Sequence, residues 1–233
     1  MIDLSRTEAL LGGETMRRLK ARHVVLFGAG GVGSWCAEAL VRTGAGRLTL
    51  VDDDKVAASN VNRQCPALAA TIGESKVAAM KARLAAIDPE ARIDVIEARY
   101  ERGGIADFLK AHGVEPGAEL FIIDAIDSVD CKAELILEAT AAGLTIVSSM
   151  GAARRLDPTK VELKRFDKVE GDGLARALRQ RFKRIGRFPA AKFNCAVSAE
   201  IPLEASATSA KPSYMPVTCA FGMALAAACC QSS

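Results

Sequence analysis

No two of the seven cysteines in this sequence stand as C-x-x-C; they are scattered at positions 36, 65, 131, 195, 219, 229 and 230. A structural zinc usually takes its thiolates in close pairs, so this spacing argues against one. An odd, scattered set in a chain large enough to bury a full core gives no disulfide framework either, and it points to a reducing cytoplasm. Long apolar runs are also missing. The longest, CAFGMALAAACC near the end, falls short of the roughly 20 residues that span a bilayer. The opening stretch, MIDLSRTEALLGGETMRRLK, mixes charges throughout and lacks the apolar centre of a signal peptide. Aromatic residues make up only 5% of the chain, and a formal net charge of +3 over 233 residues excludes a polyelectrolyte. Internal repeats and low-complexity tracts are absent. These absences leave the expectation of a soluble cytoplasmic protein with no membrane partner.

What is present is alternation. HVVLFG (23–28), RLTLVD (47–52), RIDVIEARY, LFIIDAID (120–127) and LTIVSSMG (144–151) read as strands. Between them, GVGSWCAEALVRTG, SKVAAMKARLAAID (75–88) and CKAELILEATAAG read as helices, the second with Val77, Met80, Leu84 and Ile87 at three- and four-residue spacing. Strands alternating with helices predict an α/β fold: a Rossmann-like, doubly wound and mostly parallel sheet buried on both faces. Composition shifts after Gly151. Residues 154–192 hold thirteen Lys or Arg against five acids, a net +8 in a chain whose total is +3. The expected organisation is therefore a nucleotide-binding core over 1–151, N-terminal helix included. A basic substrate-binding segment follows over 152–233, its C-terminal helix packing back on the core.

Gly28, Gly30, Gly31 and Gly33 form a G-x-G-x-x-G turn between a strand and a helix. Such a turn aims backbone N–H groups and the helix dipole at phosphate. Asp52 ends the second strand, where a carboxylate accepts ribose hydroxyls. To this point NAD, FAD and ATP all fit. The next residues argue against NAD: Asp54, then Asn60, Asn62, Arg63 and Gln64, then Lys76 opening a helix. A triphosphate, unlike a dinucleotide, uses an arginine fork and a lysine to neutralise the oxygens that pyrophosphate release leaves charged. Asp124 and Asp127 stand at the carboxyl end of a buried strand, the edge where open α/β sheets bind ligands. Asp127 suits a magnesium ligand or the N-cap of the next helix, and Asp124 either a ligand or a buttress of the loop.

The set G-x-G-G-x-G-S, Asp52-x-Asp54, N-x-N-R-Q, G-x-x-K and D-x-x-D resembles the ubiquitin-activating-enzyme-like adenylating superfamily. That resemblance implies ATP and magnesium as cofactors and an acyl-adenylate as the product of the first step. It places Gly28 to Gly33 on phosphate, Asp52 on ribose, Arg63 and Lys76 on the triphosphate and Asp127 on the metal. It also implies a homodimer in which Arg6 reaches the site across the interface. SRTEALLG, GGVGSWCAEALVRTGAGRLTLVD, NVNRQ, DAIDS, SSMGAARRLDPTKVEL and CAVSAE are together similar to one branch, the tRNA threonylcarbamoyladenosine dehydratases, over nearly the whole chain. The branch implies tRNA as substrate and ring closure of its threonylcarbamoyladenosine. Basic residues suit a phosphate backbone, and Arg154, Arg155, Arg179, Lys183 and Arg184 are the candidates, against the alternative of a solvated charged face. The competing reaction within the superfamily is adenylation of the C-terminal glycine of a ubiquitin-like sulfur carrier, with a sulfur-transfer partner. Cys195, in the C-x-x-S-x-E segment with Ser198 and Glu200, fits a buried, space-filling thiol better than a sulfur relay.

Overall fold

The computed structural model describes residues 2–115, 117, 119–204 and 212–232. Two short helices, α1 (Ser5–Leu11) and α2 (Gly13–Ala21), precede the first strand, β1 (His23–Phe27). There follow α3 (Gly33–Thr43), β2 (Arg47–Val51), α4 (Lys76–Ile87), β3 (Arg92–Ile96), α5 (Ile105–Ala111), β4 (Leu120–Asp124), α6 (Val129–Ala141) and β5 (Thr145–Ser149). The last part holds β6 (Val161–Arg165), α7 (Gly173–Ile185), β7 (Asn194–Ser198) and α8 (Met215–Gln231). Among the described residues these strands form one seven-stranded sheet in the order β3-β2-β1-β4-β5-β7-β6, parallel except for β6 against β7.

The strand sequences explain the layering. Side chains alternate across a strand, so Val24 and Leu26 of β1 enter the core shared with α3, α4 and α8, whereas Val25 and Phe27 enter the core shared with α5, α6 and α7. Both faces are covered, which is why the central strands read as continuous apolar runs. The order reverses between β1 and β4: the chain builds outward from β1 through β2 to β3, then returns to β4 on the other side. Crossover loops part at such a switch point and leave a crevice at the carboxyl ends of the strands.

The compositional change after Gly151 is not a break in the sheet. β7 pairs in parallel with β5, Ser148 opposite Cys195, and carries the sheet onward. α8 lies along α3, with Phe221, Leu225 and Cys229 buried in the same core as Cys36 and Leu40. β6 is an edge strand in which none of the five positions of VELKR is buried, so no alternation of apolar residues announces it. β3 stops at Ile96, and the ARY that continues its sequence pattern leaves the sheet.

Candidate functional site

A cavity of about 830 Å³ opens at the switch point, between the carboxyl ends of β1, β2, β4 and β5. Its floor is the glycine turn. Gly28 has φ of 92° and lies so close to the neighbouring loop that a Cβ would sit 2.7 Å from the Ala125 carbonyl oxygen, so no other residue fits there without strain. Gly30 and Gly31 line the cavity, but Gly33 does not: a Cβ on Gly33 would collide with the Gly28 carbonyl. The absence of a side chain at Gly33 thus serves the close packing of α3 on β1.

Asp52 stands beside the turn. Its Oδ2 accepts the Ala29 amide at 2.7 Å and its Oδ1 the Asp54 amide at 2.8 Å. Burial raises its pKa above the usual carboxylate value, against the opposing pull of the Asp54 amide, Lys76 and the Ala29 amide. Each oxygen keeps a lone pair for a ribose hydroxyl. Lys76, at the first position of α4, is almost wholly buried, and its Nζ bonds Asp54 Oδ2 at 2.7 Å inside the cavity wall. Asp54 therefore holds the lysine in place.

The Arg63 loop faces the turn. Arg63 Nη1 donates to the Ser59 carbonyl at 2.9 Å and to Asn62 Oδ1 at 3.0 Å, and its stem runs past Gly31. Asn62 itself is exposed and outside the cavity, where its Oδ1 accepts from Arg63 and orients the guanidinium. Asn60 lines the cavity and caps the turn by accepting the Ala57 amide at 3.0 Å. Gln64 is buried in the wall with its Oε1 unpartnered among the described residues. A buried amide oxygen without a partner is costly, and here it lines the space a ligand would fill.

Asp124 belongs to the scaffold. It is fully buried, with Oδ2 accepting Lys132 Nζ at 2.6 Å and the Ser148 hydroxyl at 2.6 Å, and Oδ1 accepting the Ile126 amide at 3.1 Å. Buttressing is thus its role, and ligand binding is not. Lys132, its buried counter-ion, was hidden in the sequence inside an ordinary amphipathic helix. Asp127 lies at the cavity edge, exposed, one residue before Ser128, which occupies the N-cap position of α6. The N-cap alternative for Asp127 therefore falls.

The basic candidates separate. Arg154 lines the cavity with φ of 62°, in the left-handed region. Arg155 is buried: Nη2 bonds Asp172 Oδ2 at 2.8 Å, Nε the Gly151 carbonyl at 2.8 Å, and Nη1 the carbonyls of Ser198 and Glu200. A guanidinium with these partners cannot reach a phosphate backbone. Arg179 is turned inward as well, donating to the carbonyls of Phe166 and Val169 and lying 5.0 Å from the centre of the Phe166 ring. Lys183 and Arg184 are exposed, Arg184 reaching Asp130 at 3.8 Å. Arg6 is exposed on α1, which buries none of its residues, and lies outside the cavity. Cys195 is sealed in the core, and burial pushes its thiol up to about 12, so it is neither accessible nor a thiolate. Sequence reasoning missed Tyr100, Leu174 and Thr218 in the wall, all on segments with no motif of their own, and Met150, which lies within the SSMG segment.

The ThiF family model matches residues 4–200, well over half of the sequence. The chain belongs to the ThiF family. Within that family it falls in the branch of tRNA threonylcarbamoyladenosine dehydratases. It is 38% identical over 182 residues to the tRNA threonylcarbamoyladenosine dehydratase of Bacillus subtilis, covering 78% of this chain and 69% of that one. To the Escherichia coli enzyme of the same name it is 37% identical over 177 residues, 76% of this chain and 64% of that relative, so about a third of each relative's length has no counterpart in the alignment. The solved structure of the E. coli dehydratase in complex with ATP superposes with a TM-score of 0.84 at 31% identity, covering 98% of this chain and 92% of that one. The molybdopterin-synthase adenylyltransferase of Salmonella typhimurium is 31% identical over 144 residues, 62% of this chain and 54% of that one.

Proposed function

We propose that this chain uses ATP to cyclise N6-threonylcarbamoyladenosine in tRNA, with net loss of water. The observation that carries the reading is one continuous cavity that joins the glycine turn, Asp52, Arg63 and Lys76 to a second wall built from Gly151 to Arg155 and the start of α7. Its volume of about 830 Å³ is at the upper end of the range for single small-molecule sites, which suits a nucleotide and the reacting part of a second substrate. The threonyl carboxylate attacks the α-phosphorus and pyrophosphate leaves. The neighbouring carbamoyl group then attacks the acyl carbon, loses a proton, closes the ring and expels AMP.

The residues divide that work. Backbone amides at Gly28, Gly30 and Gly31 meet the phosphates, and Asp52 takes the ribose hydroxyls. Arg63 and Lys76 neutralise the charge that gathers on the leaving pyrophosphate, with Asn60 and Asp54 keeping them in place and Gln64 facing the ligand. The oxygen donors at this edge fit magnesium, a hard cation that favours one or two carboxylates plus phosphate oxygens, and Asp127 would hold it. When bound, the ion supplies further charge neutralisation at the phosphates. Arg6, exposed on α1 and outside the cavity, would reach the site from a second copy of the chain in a homodimer. Phosphates of tRNA would meet Arg154 at the cavity mouth and the exposed Lys183 and Arg184 on α7. A sulfur-transfer partner is the least supported of the expected partners, because Cys195 is enclosed. Action on tRNA fits a cytoplasmic location.

The competing reading, adenylation of a sulfur carrier's C-terminal glycine, shares every nucleotide residue. Pyrophosphate release separates the two. It should require tRNA bearing threonylcarbamoyladenosine, and nucleosides from that tRNA should lose the mass of one water. Release with a carrier protein and not with the modified tRNA would favour the competitor.

A further inference from the structure

The chain contains a single tryptophan, and it sits behind the Arg63 loop. Trp35 Nε1 donates to the Arg63 carbonyl at 3.0 Å across 28 residues of sequence. Its ring is half-buried against the core that α8 completes. Next to it, Ser34 makes a second tether. The Ser34 hydroxyl donates to the Gly30 carbonyl at 2.6 Å and accepts the Cys65 amide at 3.1 Å. Cys65 is held in turn by Glu38, whose Oε2 accepts the thiol at 2.9 Å and pairs with Arg83 at 2.6 Å. Burial works against the Glu38 charge, but hydrogen bonds from Arg83, Cys65 and Arg42 hold its pKa down at about 2. One turn of α3 thus grips the glycine turn on one side and the arginine loop on the other.

The loop needs that grip. Residues 61–64 form a turn with no strand or longer helix to fix them, and among the described residues the Arg63 guanidinium donates its hydrogen bonds only to its own loop, at Ser59 and Asn62. Those contacts shape the guanidinium relative to the loop but not relative to the phosphates. The bonds that relate the loop to the glycine turn are those of Trp35 and Ser34.

From this geometry we infer that Trp35 is a positioning residue for adenylation: its indole N–H sets Arg63 in register with the phosphate cradle at Gly30 and Gly31. The inference rests on the reading of the cavity as an ATP site, but not on the identity of the second substrate. A hydrogen bond of this kind contributes modestly on its own, so the signature is coupling to Arg63 and not a large loss. Trp35→Phe keeps an aromatic ring for packing and deletes the donor. ATP affinity, measured by calorimetry without tRNA, should fall about three- to tenfold in Trp35→Phe. In an Arg63→Ala background the same change should alter affinity less than twofold, because the group it positions is gone. Equal losses in both backgrounds, or no loss in either, would overturn the inference. A merely structural role for the ring would lower the melting temperature and act additively.

The unaltered protein supplies an independent arm that does not depend on any variant folding. Because no other tryptophan is present, its emission reports this one site. Saturating ATP, with saturation established by calorimetry, should change the intensity or wavelength of that emission. Saturation with unchanged emission would count against Trp35 as the link, while leaving the ATP reading intact. No binding of ATP at all would overturn both.

Discussion

Residues 28–76 and residues 154–192 differ in charge density, the second far richer in Lys and Arg, yet the fold exposes their charges in the opposite sense. In the first stretch, Asp52, Arg63 and Lys76 arrive at the open edge of the sheet and face a cavity. In the second, most of the excess charge is absorbed by partners. Arg155 pairs with Asp172 in the core, Arg181 with Asp130 and Glu134, and Arg187 with Glu134 and Glu138. Arg179 bonds two backbone carbonyls. Lys168, Arg176, Lys183 and Lys192 are exposed and form no ion pair among the described residues. A local net charge of +8 therefore overstates what a polyanion would meet. The partners of Arg181 and Arg187 lie on α6, about fifty residues earlier in the chain. Position relative to the sheet edge, and not charge density, separates a binding residue from a structural one.

The comparison breaks most sharply at the nucleotide end. Lys76→Ala and Arg63→Ala should each reduce pyrophosphate release by about a hundredfold or more, the usual effect of removing a cation aimed at developing charge. Melting temperatures should move little for Arg63→Ala, whose guanidinium among the described residues bonds only its own loop. Release within a few fold of the unaltered rate in both variants would remove these residues from the site. Next in size is a stability effect in the basic stretch. Arg155→Ala should destabilise the fold by about 3–5 kcal/mol, because it leaves the buried Asp172 carboxylate without its counter-ion. Urea unfolding measures it, and a loss below about 1 kcal/mol would mean that the pair is solvated. The smallest effect belongs to the exposed face of α7. Arg176 and Lys183 are seven residues apart and share that face, so reversing both to Glu should weaken tRNA binding several-fold. The dependence of log affinity on log salt should flatten by about 2, with ATP affinity unchanged. An unaltered salt slope would make that face a solvated surface only.

Much of the site was legible because its residues are close in sequence and each answers to a strong local rule. A glycine turn between a buried strand and a helix brings amides to phosphate in any sheet of this class, and Asp52 follows from the end of the next strand. Where the reading failed, a distant partner decided. Asp124 and Asp127 look alike in DAIDS, but Lys132 and Ser148 enclose the first and leave the second at the cavity edge. Arg155 and Arg154 are adjacent, yet Asp172 takes one into the core. Asn62 and Gly33 also make contacts that their motifs do not announce, the first orienting Arg63 and the second packing α3.

The sequence by itself determined the class of sheet, the phosphate turn and the side chains that surround it, since periodicity and backbone sterics are local properties. Tertiary structure alone decided which charges remain available, and it made one sheet of two compositionally different stretches by setting β7 beside β5. It also placed Trp35 behind Arg63. The physical reason is that desolvation and pairing depend on which groups meet in space, and those groups come from segments whose separation along the chain carries no local signal.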